Sequence, residues 1–218
     1  IVTRGGYYRD WAETNSGWWD VLPDWIPSLA KYHRAAYDFH VGLASEHTYM
    51  SNPWGWIVQW RPTSFYYQTA AAGEHGCTVE KCSAAITSVG NPVVWGLAPL
   101  AVLLLVFAWL LRRDWRFAAL FAVFAVGYFP WFAYPERTMF FFYALSFEPY
   151  LILMLAGLLG LALGRPGDSV RRRRAGLLLV GLFVVFALLV SIYYWPIWTA
   201  QTVPYTEWRE RMWFDAWI

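Results

Sequence analysis

The chain has 218 residues, of which 58% are hydrophobic and only 15% are charged, whereas roughly 25% of a typical soluble domain is charged. Aromatic residues reach 21% and include 16 tryptophans, and such rings are enriched where proteins cross a membrane surface. This composition excludes a disordered chain and a disulfide-dense mini-protein. The net charge of +2 creates no field that would attract nucleic acid. We therefore expect a membrane protein with no nucleic-acid partner.

The second half of the sequence contains four apolar blocks. Each is close to the roughly 20 residues that a helix, rising about 1.5 Å per residue, needs to span the hydrocarbon core. Buried helices of a large soluble protein are the weaker interpretation, because four such blocks follow one another in a short chain. The sequence predicts four transmembrane helices, at residues 93–111, 117–134, 139–163 and 175–198.

Arginines in the connecting loops predict the orientation of these helices. Three arginines lie between the first and second blocks, and five lie between the third and fourth. Because basic loops remain on the cytoplasmic side, we expect a multi-pass plasma-membrane protein. In this topology residues 1–92 form an extracytoplasmic domain, residues 93–198 the transmembrane domain, and residues 199–218 an extracytoplasmic tail.

The beginning of the chain predicts that it belongs to a longer protein. It starts at Ile1 rather than Met, and it has no recognisable secretory signal peptide. Another segment would have to carry residues 1–92 across the membrane. We expect the C-terminal portion of a polytopic protein, or a processed piece of one.

The segment from Asp24 to His40 has the apolar periodicity of an amphipathic helix. Its apolar residues include Trp25, Tyr32 and Phe39, which suit a helix lying in the membrane interface. Packing of the same face against the rest of the outer domain is an equally good interpretation. We therefore predict a largely helical, tryptophan-rich outer domain and leave the partner of this helix open.

The two cysteines, Cys77 and Cys82, are predicted to form a disulfide, because they lie on the oxidising side of the membrane. His75 could complete only three ligands with them, so a zinc site is the weaker alternative. The histidines His33, His40 and His47 also lack a carboxylate pair at ligand spacing. The sequence predicts no metal site and no cofactor.

Charged residues at or inside the predicted helices are candidates for ligand binding or for a structural role. Glu136 and Arg137 lie at the outer end of the second and third blocks, ahead of an aromatic run. A guanidinium at a membrane surface can bind a lipid phosphate through its fork of donors, or it can simply extend to the interface.

Glu148 lies inside the third block and precedes Pro149, which disfavours helical angles at Glu148. The third helix should therefore kink there or restart, with Glu148 in a structural capping role.

Several segments resemble protein O-mannosyltransferases in the order in which that family has them. The segment from Ser51 to Trp56, followed by Arg61-Pro62, resembles the family's S-x-P-W-x-W segment, and His47-Thr48-Tyr49 fits the H-x-Y that precedes it. Glu136-Arg137 and the run Phe140–Tyr143 are similar to an arginine-plus-aromatic segment before the next-to-last span. The tail Trp208–Phe214 is similar to the end of actinobacterial members. The resemblance extends over essentially the whole chain.

This resemblance implies the C-terminal four-helix part of a GT-C glycosyltransferase. Such enzymes transfer mannose from a polyprenyl-phosphate-mannose donor to Ser or Thr of exported proteins, and their acidic catalytic pair lies in a first outer loop that is not in this chain. Arg137 would bind the lipid phosphate, with His47 and Arg61 as further candidates. The acceptor or sugar side would be formed, or the loop anchored, by Trp54, Trp56 and Glu136.

Two other classes of function fit the same residues. A related GT-C enzyme could use a lipid or glycan acceptor. A non-catalytic membrane scaffold could bind exported chains with its aromatic outer domain, since no complete catalytic constellation occurs in the chain. An Asp-Glu pair in an upstream outer loop would favour the transferase, and its absence would favour the scaffold.

Overall fold

The structure is a computed structural model that describes residues 11–218, without the side chain of Arg112. The chain divides into two compact units. The first contains residues 11–46 together with Glu136–Thr138, and the second contains His47–Pro135 and Met139–Ile218.

Helix α1 (Trp25–Val41) dominates the first unit. Pro27 occupies its first turn, where a missing N–H costs nothing, and is buried there together with Ser28. The apolar stripe on the other side is open, since Trp25 is 61% exposed and Phe39 is 66% exposed. An exposed stripe with aromatic rings favours a helix that lies in a membrane interface.

A second, short segment of the chain, Glu136–Thr138, belongs to the same unit. The backbone N–H of Thr138 donates to the carbonyl of Leu43 at 2.9 Å, and its hydroxyl donates to the carbonyl of Ser45. Thr138 is buried as a result. These bonds fix the backbone immediately after Arg137 to the segment that follows α1.

The second unit is built mainly from apolar helices. A one-turn helix α2 (Pro53–Trp56) and two strands precede them along the chain. The long helices are α3 (Pro92–Arg112), α4 (Trp115–Tyr128), α5 (Glu148–Leu163) and α6 (Val170–Trp198). Three stretches in the described part of the chain are long and apolar enough to cross a membrane: Pro92–Leu111, Trp115–Ala133 and Val170–Trp198. The predominantly helical membrane fold is thus confirmed.

The third predicted helix is wrong over its first third. Instead of a helix from residue 139, a 3₁₀ turn covers Phe141–Ser146, and α5 begins at Glu148, which leaves an apolar helix of 16 residues. Pro149 lies in the first turn of α5, where proline is favoured. The residues ahead of it fold into the core, where Met139 is 1% exposed and Phe147 is 0% exposed. The apolar character of this stretch reflects core packing rather than a continuous span.

Asn91 fixes the start of α3 and connects it to α6. Its side-chain carbonyl accepts hydrogen bonds from the N–H groups of Val93 and Val94 at 2.9 and 3.2 Å, which is the usual arrangement of a helix N-cap. Its amide donates to the carbonyl of Ala187 at 2.7 Å and to the hydroxyl of Ser191 at 2.8 Å. One side chain therefore holds the first turn of α3 against the second half of α6.

The arginine-rich connections cap the other ends of the helices. Asp114 caps α4, and its hydrogen bonds from Arg116 lower the pKa of its carboxyl to about 2. Arg172 donates to the carbonyls of Ala162 and Leu161, at 2.6 and 3.1 Å. A cation is favourable there, because the C-terminal carbonyls of a helix carry partial negative charge.

Replacing Arg172 with alanine should lower the free energy of unfolding by about 1 kcal/mol, because α5 loses this cap. For a protein of this size, that corresponds to a fall in Tm of about 2–4 °C, measurable by thermal unfolding in detergent micelles. The matched control is Arg173→Ala, since Arg173 is exposed and its side chain makes no hydrogen bond or ion pair with another described residue. An equal fall in both variants would contradict a specific cap.

A three-stranded antiparallel sheet, called here the outer sheet, lies at the end of the second unit opposite the arginine-rich connections. Its strands are β1 (Ser64–Ala71), β2 (Lys81–Thr87) and β3 (Val203–Pro204), in the order β1-β2-β3. A disulfide joins Cys77 to Cys82 at the hairpin end, with the Cα atoms 5.7 Å apart. The helical domain predicted for residues 1–92 therefore needs a correction, because two strands of this sheet lie within it. Strand β1 is rich in aromatic and β-branched residues, which favour an extended backbone.

The sheet packs on the end of α6. Tyr194 and Ile197 of α6 are buried with Ala85 of β2, and the indole of Trp198 donates to the carbonyl of Val89 at 2.6 Å. The chain after α6 returns to the same cluster through α7 (Tyr205–Glu210), whose Trp208 is buried there. This second core fixes the sheet above the end of the bundle that lies opposite the arginine-rich connections.

Candidate functional site

The two tryptophans of the outer-loop motif have different environments. Trp56 is 0% exposed, its indole N–H donates to the Ser51 hydroxyl at 2.9 Å, and its carbonyl accepts from the indole of Trp95 at 3.1 Å. Its ring contacts those of Trp131, Tyr143 and Phe147, with centroid separations of 5.8–6.4 Å. These contacts make Trp56 an anchor of the loop on the bundle.

Trp54, by contrast, is 76% exposed. Asn52 caps α2 by accepting from the backbone N–H of Trp54 at 3.1 Å, and Pro53 occupies the first turn. The indole touches the ring of Phe132 edge-on, with centroids 4.5 Å apart. This short helix therefore turns one tryptophan inward and leaves the other available to a ligand.

Arg61 holds two distant segments together. Its Nε donates to the carbonyl of Thr48 at 2.9 Å, a terminal nitrogen donates to the carbonyl of Ala216 at 3.1 Å, and its guanidinium lies over the ring of Tyr49. These partners commit part of its donor fork to the protein. The arrangement favours a structural clamp over the phosphate-binding role predicted for Arg61.

His47 is exposed and lies against the aromatic run. Its Nδ1 accepts from the backbone N–H of Tyr49 at 3.1 Å, and its ring meets Phe140 edge-on at 5.0 Å. Phe140 in turn stacks on Phe142, with centroids 5.4 Å apart and planes 11° from parallel. The structure thus places His47 two rings away from a cavity that Phe142 lines.

This cavity, called here the bundle cavity, has a volume of about 420 Å³. It lies where α3 and α5 begin and α6 ends, opposite the arginine-rich connections. Its lining consists mainly of apolar and aromatic side chains: Phe65, Val89, Trp95, Phe141, Phe142, Ala144, Leu145 and Trp198. Asn91 and Glu148 are among the few polar residues of the lining. An apolar cavity with a few fixed polar groups is typical of a ligand site.

The other predicted residues lie outside the bundle cavity's lining. Arg137, which is half-buried, and Glu136, which is exposed, belong to the first unit. Sequence reasoning singled out Glu148 but missed Asn91, Trp95 and Trp198, which the folding of three helix ends brings together. In the described residues no group of three or more His, Cys, Asp or Glu side chains is placed to hold a metal ion.

Several known proteins resemble this chain in sequence. The polyprenol-phosphate-mannose–protein mannosyltransferase of Mycolicibacterium smegmatis is 34% identical over 200 residues, and the protein of that name in Mycobacterium tuberculosis is 34% identical over 202 residues. A Corynebacterium glutamicum protein of the same name is 27% identical over 201 residues. Each alignment covers 90% of this chain, which spans only 38% of the length of these relatives.

A solved structure shares the fold. The S. cerevisiae protein O-mannosyltransferase Pmt1-Pmt2 complex, bound to the sugar donor, matches with a TM-score of 0.66 over 88% of this chain and 27% of the matched chain. The sequence identity is 20%, so this match establishes the architecture alone.

A sequence model of a protein family extends over nearly the whole chain. It is described as the C-terminal four TMM region of protein-O-mannosyltransferase, and it matches residues 26–217. The resemblance seen in the loop and tail motifs is therefore confirmed. The chain belongs to the protein-O-mannosyltransferase family and contains the C-terminal four-TMM region of that family.

Proposed function

We propose that this chain forms the donor-lipid side of a membrane glycosyltransferase. The enzyme transfers mannose from polyprenyl-phosphate-mannose to Ser or Thr of exported proteins, on the extracytoplasmic side of the plasma membrane. The names of the bacterial relatives supply the donor and the protein acceptor. The observation that carries the proposal is the bundle cavity, because it combines an apolar lining with a position at the ends of apolar helices.

The lining of the bundle cavity suits an isoprenoid chain. Burying apolar surface contributes about 25 cal/mol per Å², and rings such as Phe141, Phe142 and Trp95 offer that surface. Leu145, which also lines the cavity, is 67% exposed. The first isoprene units of a lipid donor would lie here, while the rest of the chain remains in the bilayer.

Arg137 is the candidate for the phosphate of the donor. A guanidinium presents a fork of donors that matches phosphate oxygens, and the bonds from Thr138 to the segment after α1 hold the neighbouring backbone in place. When the glycosidic bond breaks, negative charge grows on the leaving phosphate, and a fixed cation stabilises that transition state. His47, which belongs to the second unit, is a further candidate for the phosphate.

The base that deprotonates the acceptor hydroxyl is not assigned to this chain. A carboxylate from the upstream part of the enzyme would take that proton. The acceptor oxygen would then bond to the anomeric carbon as the bond from that carbon to the lipid phosphate breaks, and this single displacement inverts the sugar. Trp54 would shape the acceptor or sugar side, because it is the exposed tryptophan of its motif. The two parts of the enzyme would then divide acceptor activation and donor binding between them.

Replacing Arg137 with alanine in the full-length enzyme should lower mannosyl transfer by about 10²–10³-fold, as expected for the loss of one donor to a developing oxyanion. The assay follows labelled mannose from polyprenyl-phosphate-mannose to a Ser/Thr-rich peptide in membranes. Arg137→Lys, which keeps the charge but loses the fork, should retain part of the rate.

The control for this experiment is Arg173→Ala, which removes an exposed arginine from the end of the bundle opposite the bundle cavity. This variant should leave mannosyl transfer unchanged. Equal turnover of the Arg137→Ala variant and the unmodified enzyme, at both saturating and limiting donor, would contradict the role of Arg137. Absence of transfer by the unmodified, folded enzyme would contradict the proposed function itself.

A further inference from the structure

The outer sheet carries a second cavity, called here the sheet pocket, which the proposed function does not use. Its volume is about 370 Å³, near the lower end of the 300–1,000 Å³ typical of small-molecule sites. The strands contribute Tyr67, Thr69 and Lys81 to its lining, and the segment after α6 contributes Tyr205 and Trp208. All these residues belong to the second unit.

Strand register places the sheet pocket on a face of the sheet rather than along its edge. Tyr67 pairs with Ala85 and Thr69 pairs with Ser83, whereas the intervening Gln68 pairs with Ala84. Because alternate side chains of a strand point to opposite faces, Tyr67 and Thr69 share one face. An extended peptide that added a strand to β1 would bond in the plane of the sheet, so this face suits a compact ligand instead.

Aromatic rings form one part of the lining. The ring of Trp208 lies 5.0 Å from that of Tyr67 and 5.5 Å from that of Tyr205, centroid to centroid. The ammonium of Lys81 lies 4.3 Å from the centroid of the Tyr205 ring. Such rings offer flat apolar faces against which the C–H face of a sugar ring can stack, while the ammonium supplies a nearby donor.

Hydroxyl groups form another part of the lining of the sheet pocket. Ser64, Thr69 and Thr87 line the sheet pocket, and each hydroxyl can both donate and accept a hydrogen bond. The Trp208 indole N–H, which is buried, has no partner within the described residues, and such a donor favours a ligand rich in oxygen acceptors. A purely apolar ligand would leave these polar groups unsatisfied.

From this lining we infer that the sheet pocket binds a hexopyranosyl group. Flat rings beside hydroxyls and one ammonium match a ligand with an apolar ring face and a rim of hydroxyls. Under the proposed function, on which the identity of the sugar rests, the group is a mannosyl unit that the acceptor already carries. The pocket would hold glycosylated acceptor on the outer domain, apart from the bundle cavity.

The test measures the binding of methyl α-D-mannopyranoside to the purified protein by saturation-transfer NMR, in a detergent without a sugar headgroup. We expect a saturable signal that a mannosylated Ser/Thr peptide displaces and the same peptide without mannose does not. Thr69→Trp, which fills the pocket from an exposed strand position, should weaken binding at least tenfold. Tyr205→Ala should do the same by removing a stacking face.

The matched control is Tyr66→Trp, because Tyr66 lies beside the pocket on the same strand but lines a different cavity. It should leave binding unchanged, and thermal unfolding of each variant reports whether the fold is retained. No saturable signal, equal weakening by Tyr66→Trp, or displacement by the unmodified peptide would overturn the inference. Binding without mannosyl transfer would instead locate the failure in the proposed function, since the binding assay requires no donor.

Discussion

Replacement of Trp56 by alanine should lower the free energy of unfolding by about 3–5 kcal/mol, as expected for a large aromatic side chain removed from a core. Trp56 is 0% exposed, and it also donates to Ser51, whose hydroxyl would lose this bond. For a protein of this size, we expect Tm to fall by about 6 °C or more, measured by thermal unfolding in detergent micelles.

Trp54→Ala provides the internal comparison, because it makes the same change two residues away at an exposed position. Its effect on the free energy of unfolding should remain within about 0.5 kcal/mol. If the two variants unfolded at the same temperature, the inward and outward orientations of these tryptophans would be wrong. Reduced mannosyl transfer by Trp54→Ala at unchanged Tm would support a role on the acceptor side.

Replacement of Gly176 by valine should also be severe, with a loss of about 3 kcal/mol from overpacking. Gly176 is buried where α6 passes the end of α5. A Cβ built there would lie 2.8 Å from the carbonyl oxygen of Leu163 and closer still to that of Ala162. Since both obstacles are backbone atoms, one helix must shift, which should also disturb the cap that Arg172 gives to α5.

The comparison for this variant is Gly181→Val on the same helix. A Cβ at Gly181 meets nothing within 4 Å, so the substitution should be tolerated. Thermal unfolding in micelles again gives the measurement, with a lower Tm expected for Gly176→Val alone. A Gly176→Val protein as stable as Gly181→Val would show that α5 and α6 do not approach closely at this point.

The sequence predicts the membrane fold well because lipid imposes a simple rule. An apolar run of about 20 residues has few alternatives to a spanning helix, and three of the four predicted blocks meet this criterion. The third block failed over residues 139–147 because core residues are as apolar as lipid-facing ones. The proline at position 149 was the local signal that separated the two, and the predicted restart occurs there.

The outer sheet was missed for a different reason. Strand β1 exposes aromatic residues such as Phe65 and Tyr67, so it lacks a clear alternation of buried and exposed residues. One of the two strand pairings joins segments distant in sequence, since β2 also pairs with β3, with Ser83 opposite Val203. Segment-by-segment reading cannot detect such a contact.

The lining of the bundle cavity was also only partly predictable, because most of its residues come together from segments distant in sequence. Glu148 could be selected from the sequence because a carboxylate within an apolar block is costly. Asn91 and Trp198 carry no such signal, and they reach the cavity only because three helices end together. Arg61 shows the opposite case, in which a motif residue suggested ligand binding although its donors bond to backbone carbonyls.

The most direct test of the donor-side assignment is photo-crosslinking of the full-length enzyme with a polyprenyl phosphate that carries a diazirine in its first isoprene units. Mass spectrometry should locate the label on bundle-cavity residues such as Phe142, Leu145 and Trp198. An excess of polyprenyl-phosphate-mannose should suppress that label. Labelling spread over lipid-facing residues such as Leu182, which is 70% exposed, and unaffected by the competitor would contradict the account.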